Sequence, residues 1–357
     1  MARKYVYGII PIDQPMSFGV SGFPPRPEAV YTVVHRGLGC VVSNYSGEEF
    51  TSLTKEEKIR CLMAHQAVIE RVMNDYPVLP VKFGTLLEGD DEVCRLLEQG
   101  HQTFTEALAK MDGKVEMEVA ASWDLKRVLE EIGREEEIVR LKESIANRPA
   151  AETLEQQIQA GKIVKQSLDR RREEYQQRMQ ESLRGAALDV QPNALVADEM
   201  VMNVAFLIPR EREGEFEQRV RELDQAFHDQ INFRIIGPLP PYSFATVEVA
   251  RPSAEKIEEA RQLLGLGVAV SEAEAKQAYR RLAAATHPDA NPEGEQGDER
   301  FARVREAFAL LTAYCQGQDQ AGGPATEKRR FSLAPKDVSQ AFLVNVRRAA
   351  APGGVVQ

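Results

Sequence analysis

Val115, Met117 and Val119 alternate with Lys114, Glu116 and Glu118, whereas Ile59, Leu62, Met63, Ile69, Val72 and Met73 recur at helical spacing, so strands and helices must coexist in this chain. The two periods take turns along the sequence. Tyr5–Pro11 and Tyr31–Tyr45 are rich in Val, Ile and Tyr and read as strands, separated by the Pro/Gly stretch Pro15–Pro27. Thr54 with Glu57 three residues on is a capping-box signature that opens the helix, and Asn74 and Pro77 close it. Val78–Leu87 reads as a further strand. Asp90 is placed to cap a helix whose apolar line is Val93, Leu97, Phe104 and Leu108, with Gly113 as its stop. Lys114–Trp123 is then a half-buried strand with its glutamates toward water, expected to close the first sheet.

From Asp124 to about Arg184 the chain is a charge-laced helical region interrupted at Pro149, a bent pair or hairpin of helices with one apolar strip on each arm. It reads either as a solvated hairpin packed along a seam or as a partner-binding coil. A second strand-and-helix set follows: Met200–Ile208, a helix over Glu211–His228, then Phe233–Ile236 and Tyr242–Val249 flanking the turn Gly237-Pro238-Leu239-Pro240-Pro241. The fold class expected is α+β, with two ferredoxin-like antiparallel sheet-and-helix domains and a long helical hairpin inserted.

Composition narrows the partner class. At 357 residues and 43% hydrophobic the chain is long enough for two or three domains. A formal net charge of -10 disfavours nucleic acid and anionic membranes and leaves protein surfaces as partners. With no cleavable apolar leader and no run of about 18 apolar residues, the chain is expected in the cytoplasm. Cys40, Cys61, Cys94 and Cys315 lack metal or redox spacing and read as reduced thiols. No phosphate-binding loop, dinucleotide fingerprint, zincin motif or nucleophile elbow is present, so neither an enzyme nor a cofactor is expected. Cys61 and His65, four apart on a helix, are two ligands short of a zinc site, and His65 reads as a structural histidine.

Several ordered segments resemble the GvpF/GvpL gas vesicle proteins: Tyr5-Val6-Tyr7-Gly8-Ile9, His65–Val72, Pro77–Thr85, Gly113–Met117 closing on Trp123-Asp124, and Ile235–Phe244. The resemblance covers roughly the first 250 residues. It implies an accessory protein that binds the small hydrophobic shell protein and helps nucleate or build the shell, together with other gas vesicle accessory proteins. Within Pro80–Thr85, Gly84 permits close backbone approach and Phe83 offers aromatic area, so Pro80, Phe83, Gly84 and Thr85 are the candidate shell-protein contact. The alternative is a central strand.

A second resemblance, to J-domains, covers Ile257–Cys315. A short helix runs through Leu264, and after Gly265-Leu266-Gly267-Val268 a helix over Ser271–Thr286 leads to His287-Pro288-Asp289 and a third helix from about Asp298 to Tyr314. Ser271 and Glu274 form a capping box, and Ala275, Ala278, Tyr279 and Leu282 make an inward stripe facing Phe301, Val304, Phe308 and Leu311. Pro288 disfavours helical geometry at His287 and holds Asp289 on a fixed turn, where its carboxylate is suited to a partner arginine. Lys276, Arg280 and Arg281 add local positive charge for steering onto an acidic patch. By resemblance, His287, Pro288 and Asp289 dock a DnaK-type chaperone and stimulate its ATPase. Thr286, Ala290 and Ala283–Ala285 depart from the usual pattern and thin the basic face, so a J-fold kept only for packing is the alternative.

The expected boundaries are 1–123, 124–252 for the hairpin and second α+β domain, 253–316 for the J-like module, and 317–357 for a linker and a loosely attached tail, with one short segment at Phe331–Ala351 read as helical. Three functions fit: a gas vesicle assembly factor, a general J-domain co-chaperone, or a minor component of the shell.

Overall fold

The computed structural model describes residues 2–23, 28–47, 50, 52–146, 153–228, 230–286, 295–320 and 329–348. They group into two units, the first formed by Met1–Asp112 and Ala245–Arg347, the second by Gly113–Phe244 with Arg348.

The first unit is organised by β1 (Arg3–Pro11), whose residues from Lys4 to Ile10 are all buried. β1 lies between β4 (Leu38–Tyr45) on one side and two short strands, β5 (Leu79–Pro80) and β6 (Leu86–Leu87), on the other. With β2 (Ser17–Ser21) and β3 (Ala29–His35), the sheet order is β2-β3-β4-β1-β5. The expected long strand over 31–45 is divided by a two-residue hairpin, because Arg36 and Gly37 both adopt positive φ, 51° and 80°, as the tight turn joining twisted strands demands. The expected strand over 78–87 is likewise divided, since residues 81–85 turn away between β5 and β6.

Helices cover both faces. α1 (Lys55–Met73) carries the predicted capping box, and Cys61, His65, Val68, Ile69, Val72 and Met73 face inward. Ile59, Leu62 and Met63, read from the sequence as part of the same apolar line, are instead exposed, Met63 to 65%. On the opposite face the single expected helix breaks at Gly100 into α2 (Asp90–Gln99) and α3 (His101–Met111), which bury Val93, Leu96, Leu97, Phe104 and Leu108 against Val6, Ile9, Cys40 and Val42.

The second unit starts with β7 (Lys114–Trp123). It does not close the first sheet: β9 (Met200–Pro209) and β10 (Ile231–Leu239) flank it, and with β8 (Asp189–Pro192) they form a four-stranded antiparallel sheet of order β10-β7-β9-β8. This 4-1-3-2 order, with helices between the first and second and the third and fourth strands, is the split βαβ arrangement of ferredoxin-like folds. The ferredoxin connectivity thus belongs to the second unit, while the first is a hairpin-linked sheet covered by helices. Glu116 is also corrected: expected in water, it is 0% exposed.

The inserted helices form the expected hairpin, with α4 (Leu125–Ile132) and α5 (Glu136–Ile145) against α6 (Leu154–Arg184). Arg171 donates to Glu131 and Glu135 at 2.9 Å each, and the Ser167 hydroxyl donates to Glu135 at 2.9 Å. The bend read at Pro149 lies outside the described residues. α7 (Glu213–Phe227) completes the unit and buries Phe216, Val220 and Phe227.

The chain then returns to the first unit. β11 (Thr246–Ala250) joins the first sheet through a parallel bridge, Val81 with Val247. α8 (Ala254–Leu264), the short β12 (Ala269–Val270), α9 (Glu272–Thr286) and α10 (Glu295–Gln320) make a three-helix module. The segment of residues 329–348 is not a loose tail. β13 (Phe331–Ser332) pairs with β12, and α11 (Pro335–Val338) leads to β14 (Leu343–Arg347), which pairs with β11. Its apolar residues explain the order: Leu333, Val338 and Ala341 enter the core of the helical module, and Phe342 enters the core of the sheet.

Candidate functional site

The helical module forms as its pattern dictates. Gly265 ends α8 in the left-handed conformation, φ 64°, while the Leu266 N–H donates to Arg261 O at 2.9 Å, a Schellman-type stop. The Ser271 hydroxyl accepts from the Glu274 N–H at 3.2 Å, and the Glu274 carboxylate accepts from the Ser271 N–H at 2.8 Å, which is the predicted capping box. Ala275, Ala278, Val304 and Leu311 are buried together, and Tyr279 stacks on Phe308 with ring centroids 4.4 Å apart.

Lys276, Arg280 and Arg281 are exposed on α9, and among the described residues no carboxylate pairs with them. At 100° per residue, Lys276 and Arg280 share one face, while Arg281 is turned about 140° from Lys276. Arg281 lines a groove of about 260 Å³ with Gly265, Glu274, Gln277 and Arg330. The three cations read as one patch are therefore two features. His287, Pro288 and Asp289 lie outside the described residues.

The other candidate segment serves the first unit's aromatic core. Pro80 is buried in β5 opposite Gly8, which takes it off the surface. Phe83 is half-buried, its ring 5.1 Å from Phe50 and 5.8 Å from His65. Gly84, at φ 90°, donates its N–H to the Tyr5 hydroxyl at 3.1 Å. The Thr85 hydroxyl donates to Lys82 O at 2.7 Å, and its carbonyl accepts from the Val6 N–H. The outer rims of Phe83, Gly84 and Thr85 remain accessible. His65 is hydrogen-bonded through Nδ1 to the Tyr5 hydroxyl at 2.9 Å, and burial pushes its pKa down to about 4, a neutral structural ring. Sequence reasoning missed the exposed Ile59, Leu62 and Met63 because periodicity marks an apolar stripe without saying what covers it.

Sheet, hairpin and module together define a mixed α+β protein that carries a J-domain at the end of an antiparallel body. The gas vesicle synthesis protein GvpL/GvpF model matches residues 3–246, and the DnaJ domain model matches residues 261–315. The chain belongs to the GvpL/GvpF family. It is 34% identical over 245 residues to gas vesicle protein F of Streptomyces sp. (strain CB03234), covering 67% of this chain and 98% of that protein. Gas vesicle protein F of Microcystis aeruginosa (strain PCC 7806) is 29% identical, with 68% and 97% covered. Among solved structures, GvpF from Anabaena sp. PCC7120 superposes with a TM-score of 0.58 at 25% identity, over 68% of this chain and 98% of that one. The J-domain and the strands after it are this chain's addition to that length. No helix among the described residues is long and apolar enough to cross a membrane.

Proposed function

We propose that the chain is a gas vesicle assembly factor that holds the small hydrophobic shell protein and supports nucleation or growth of the shell in the cytoplasm, while its J-domain brings a DnaK-type chaperone to the same place. The observation that carries this reading is the union, in one chain, of a GvpL/GvpF body and a J-domain whose α9 exposes Lys276 and Arg280 without carboxylate partners among the described residues. A shell subunit apolar on one side aggregates in water unless a soluble partner covers it, and a chaperone delivered beside it keeps it from clumping. The accessible rim of Phe83, Gly84 and Thr85 is the contact assigned to the shell protein. Other gas vesicle accessory proteins are its further partners, and the body works by binding rather than by catalysis.

The test is co-purification of the shell protein with the full chain, beside a DnaK-type ATPase assay with wild type and His287→Gln. Capture of the shell protein and stimulation lost in the variant are expected. Stimulation without capture would reassign the chain to a co-chaperone for other clients. Capture with equal stimulation by both chains would remove the chaperone-docking role from His287.

A further inference from the structure

β14 sits on an edge that has all the features of a strand-docking site. β11 is joined to the first sheet on one side, where the Lys82 N–H donates to Val247 O at 2.9 Å. Its other side would present a row of unpaired backbone groups, which is a template for any extended chain. β14 fills it antiparallel through five pairs, from Thr246 with Arg347 to Ala250 with Leu343.

The seating has one deep anchor and a shallow remainder. Phe342, just before β14, is 1% exposed, and its N–H donates to the buried Gln99 Oε1 at 2.7 Å. The Arg251 guanidinium lies over its ring, 5.0 Å from the centroid, and donates to Ser339 O at 3.3 Å. Within β14, Leu343, Val344 and Val346 are only half-buried, Asn345 and Arg347 are exposed, and Arg347 pairs with Glu248 at 2.8 Å. An aromatic in a slot followed by alternating half-buried residues is the pattern of strand addition: backbone bonds hold the segment and one pocket selects it.

We propose that β14 is a displaceable strap occupying a docking edge on β11, and that the partner this edge takes is an extended segment with a large apolar residue followed by an alternating apolar strand. The strap spans two cores. Leu343 packs against the J-domain core, and Val344 and Val346 against that of the sheet, so an incoming strand that displaces β14 also uncovers one side of the J-domain. Occupancy of the edge is thereby reported to the module that docks a chaperone. The edge is closed to weak competitors because a tethered strand acts at an effective concentration on the order of millimolar.

The probe is a fluorescein-labelled peptide of residues 340–348, QAFLVNVRR, titrated against the full chain, against Asn345→Pro, which lacks the N–H that faces Glu248 and cannot complete the ladder, and against Phe342→Ala, which empties the slot but leaves the backbone intact. Saturable binding to Asn345→Pro at least ~100-fold tighter than to wild type is expected from the loss of that effective concentration. A peptide with its phenylalanine replaced by alanine is expected not to bind. Equal affinity for all three chains, or none for variants that keep native tyrosine near-ultraviolet dichroism, overturns the proposal. Hydrogen exchange on wild type decides it independently of how the variants fold. β14 amides exchanging at least ~10-fold faster than those of β4 support a displaceable strap, and equal protection in the two strands overturns it.

Discussion

The carboxylate of Glu116 accepts two hydrogen bonds from Ser243, one from its backbone N–H and one from its hydroxyl, each 2.7 Å long, at a place fully shut off from water. Burial pushes the pKa of Glu116 up to about 7, against the lowering effect of those two bonds and with added repulsion from Glu118. The unfolded chain titrates the same group near the ordinary glutamate value of 4.5. The folded state therefore holds the proton more tightly, and the stability this contributes is full below about pH 4.5 and lost as pH rises through about 7. In Glu116→Gln the amide keeps an acceptor for the Ser243 N–H and needs no proton. Its second unit is expected to be more stable than wild type at pH 8, by on the order of 2–3 kcal/mol, and to lose the slope between pH 4.5 and 7. Denaturant melts followed by the fluorescence of Trp123, the one tryptophan of the chain, read that unit alone. Identical slopes in both proteins would refute it.

His65 works in the opposite direction. Its folded pKa of about 4 lies below the ordinary histidine value of 6.5, so the unfolded chain takes up the proton first. Stability of the first unit is expected to hold above pH 6.5 and to fall as pH drops from there through about 4. His65→Leu should flatten that dependence, since Tyr5 keeps the Gly84 N–H as a partner. Urea midpoints from pH 4 to 7, monitored by tyrosine dichroism, are the measurement.

Arg36 takes φ 51° in the hairpin between β3 and β4, a conformation that costs a side chain with a full Cβ and that asparagine tolerates better. Arg36→Asn creates the Asn-Gly pair favoured in such turns and is expected to stabilise the first unit by about 0.5–1 kcal/mol. A lowered thermal midpoint would count against the turn as described.

Tyr279 and Phe308 hold α9 to α10 by a stack at 4.4 Å. Tyr279→Ala removes it and should destabilise the J-domain by about 2–3 kcal/mol while leaving the second unit unchanged. Hydrogen exchange should rise in α9 and α10 and stay constant in β7 and β9.

Residues close in sequence determined what local physics can decide. Thr54 with Glu57 and Ser271 with Glu274 cap their helices as read, because a capping box needs only the backbone three residues away. The stripe Ala275, Ala278, Tyr279 faces α10 for the same reason, and the motifs of both resemblances could be read without a fold. Partnership across the chain was not legible. Lys114–Trp123 has the period of an edge strand whichever sheet receives it, and only the pairing with β9 and β10 makes it central and drowns Glu116. Phe342 lies in a short polar-flanked tail, and nothing nearby announces that Gln99, 243 positions earlier, receives its N–H. Arg281 looks like Lys276 in sequence and parts from it only on the helix surface. Burial, sheet membership and the seating of the tail depend on which distant surfaces exclude water from one another, and that is a property of the assembled chain alone.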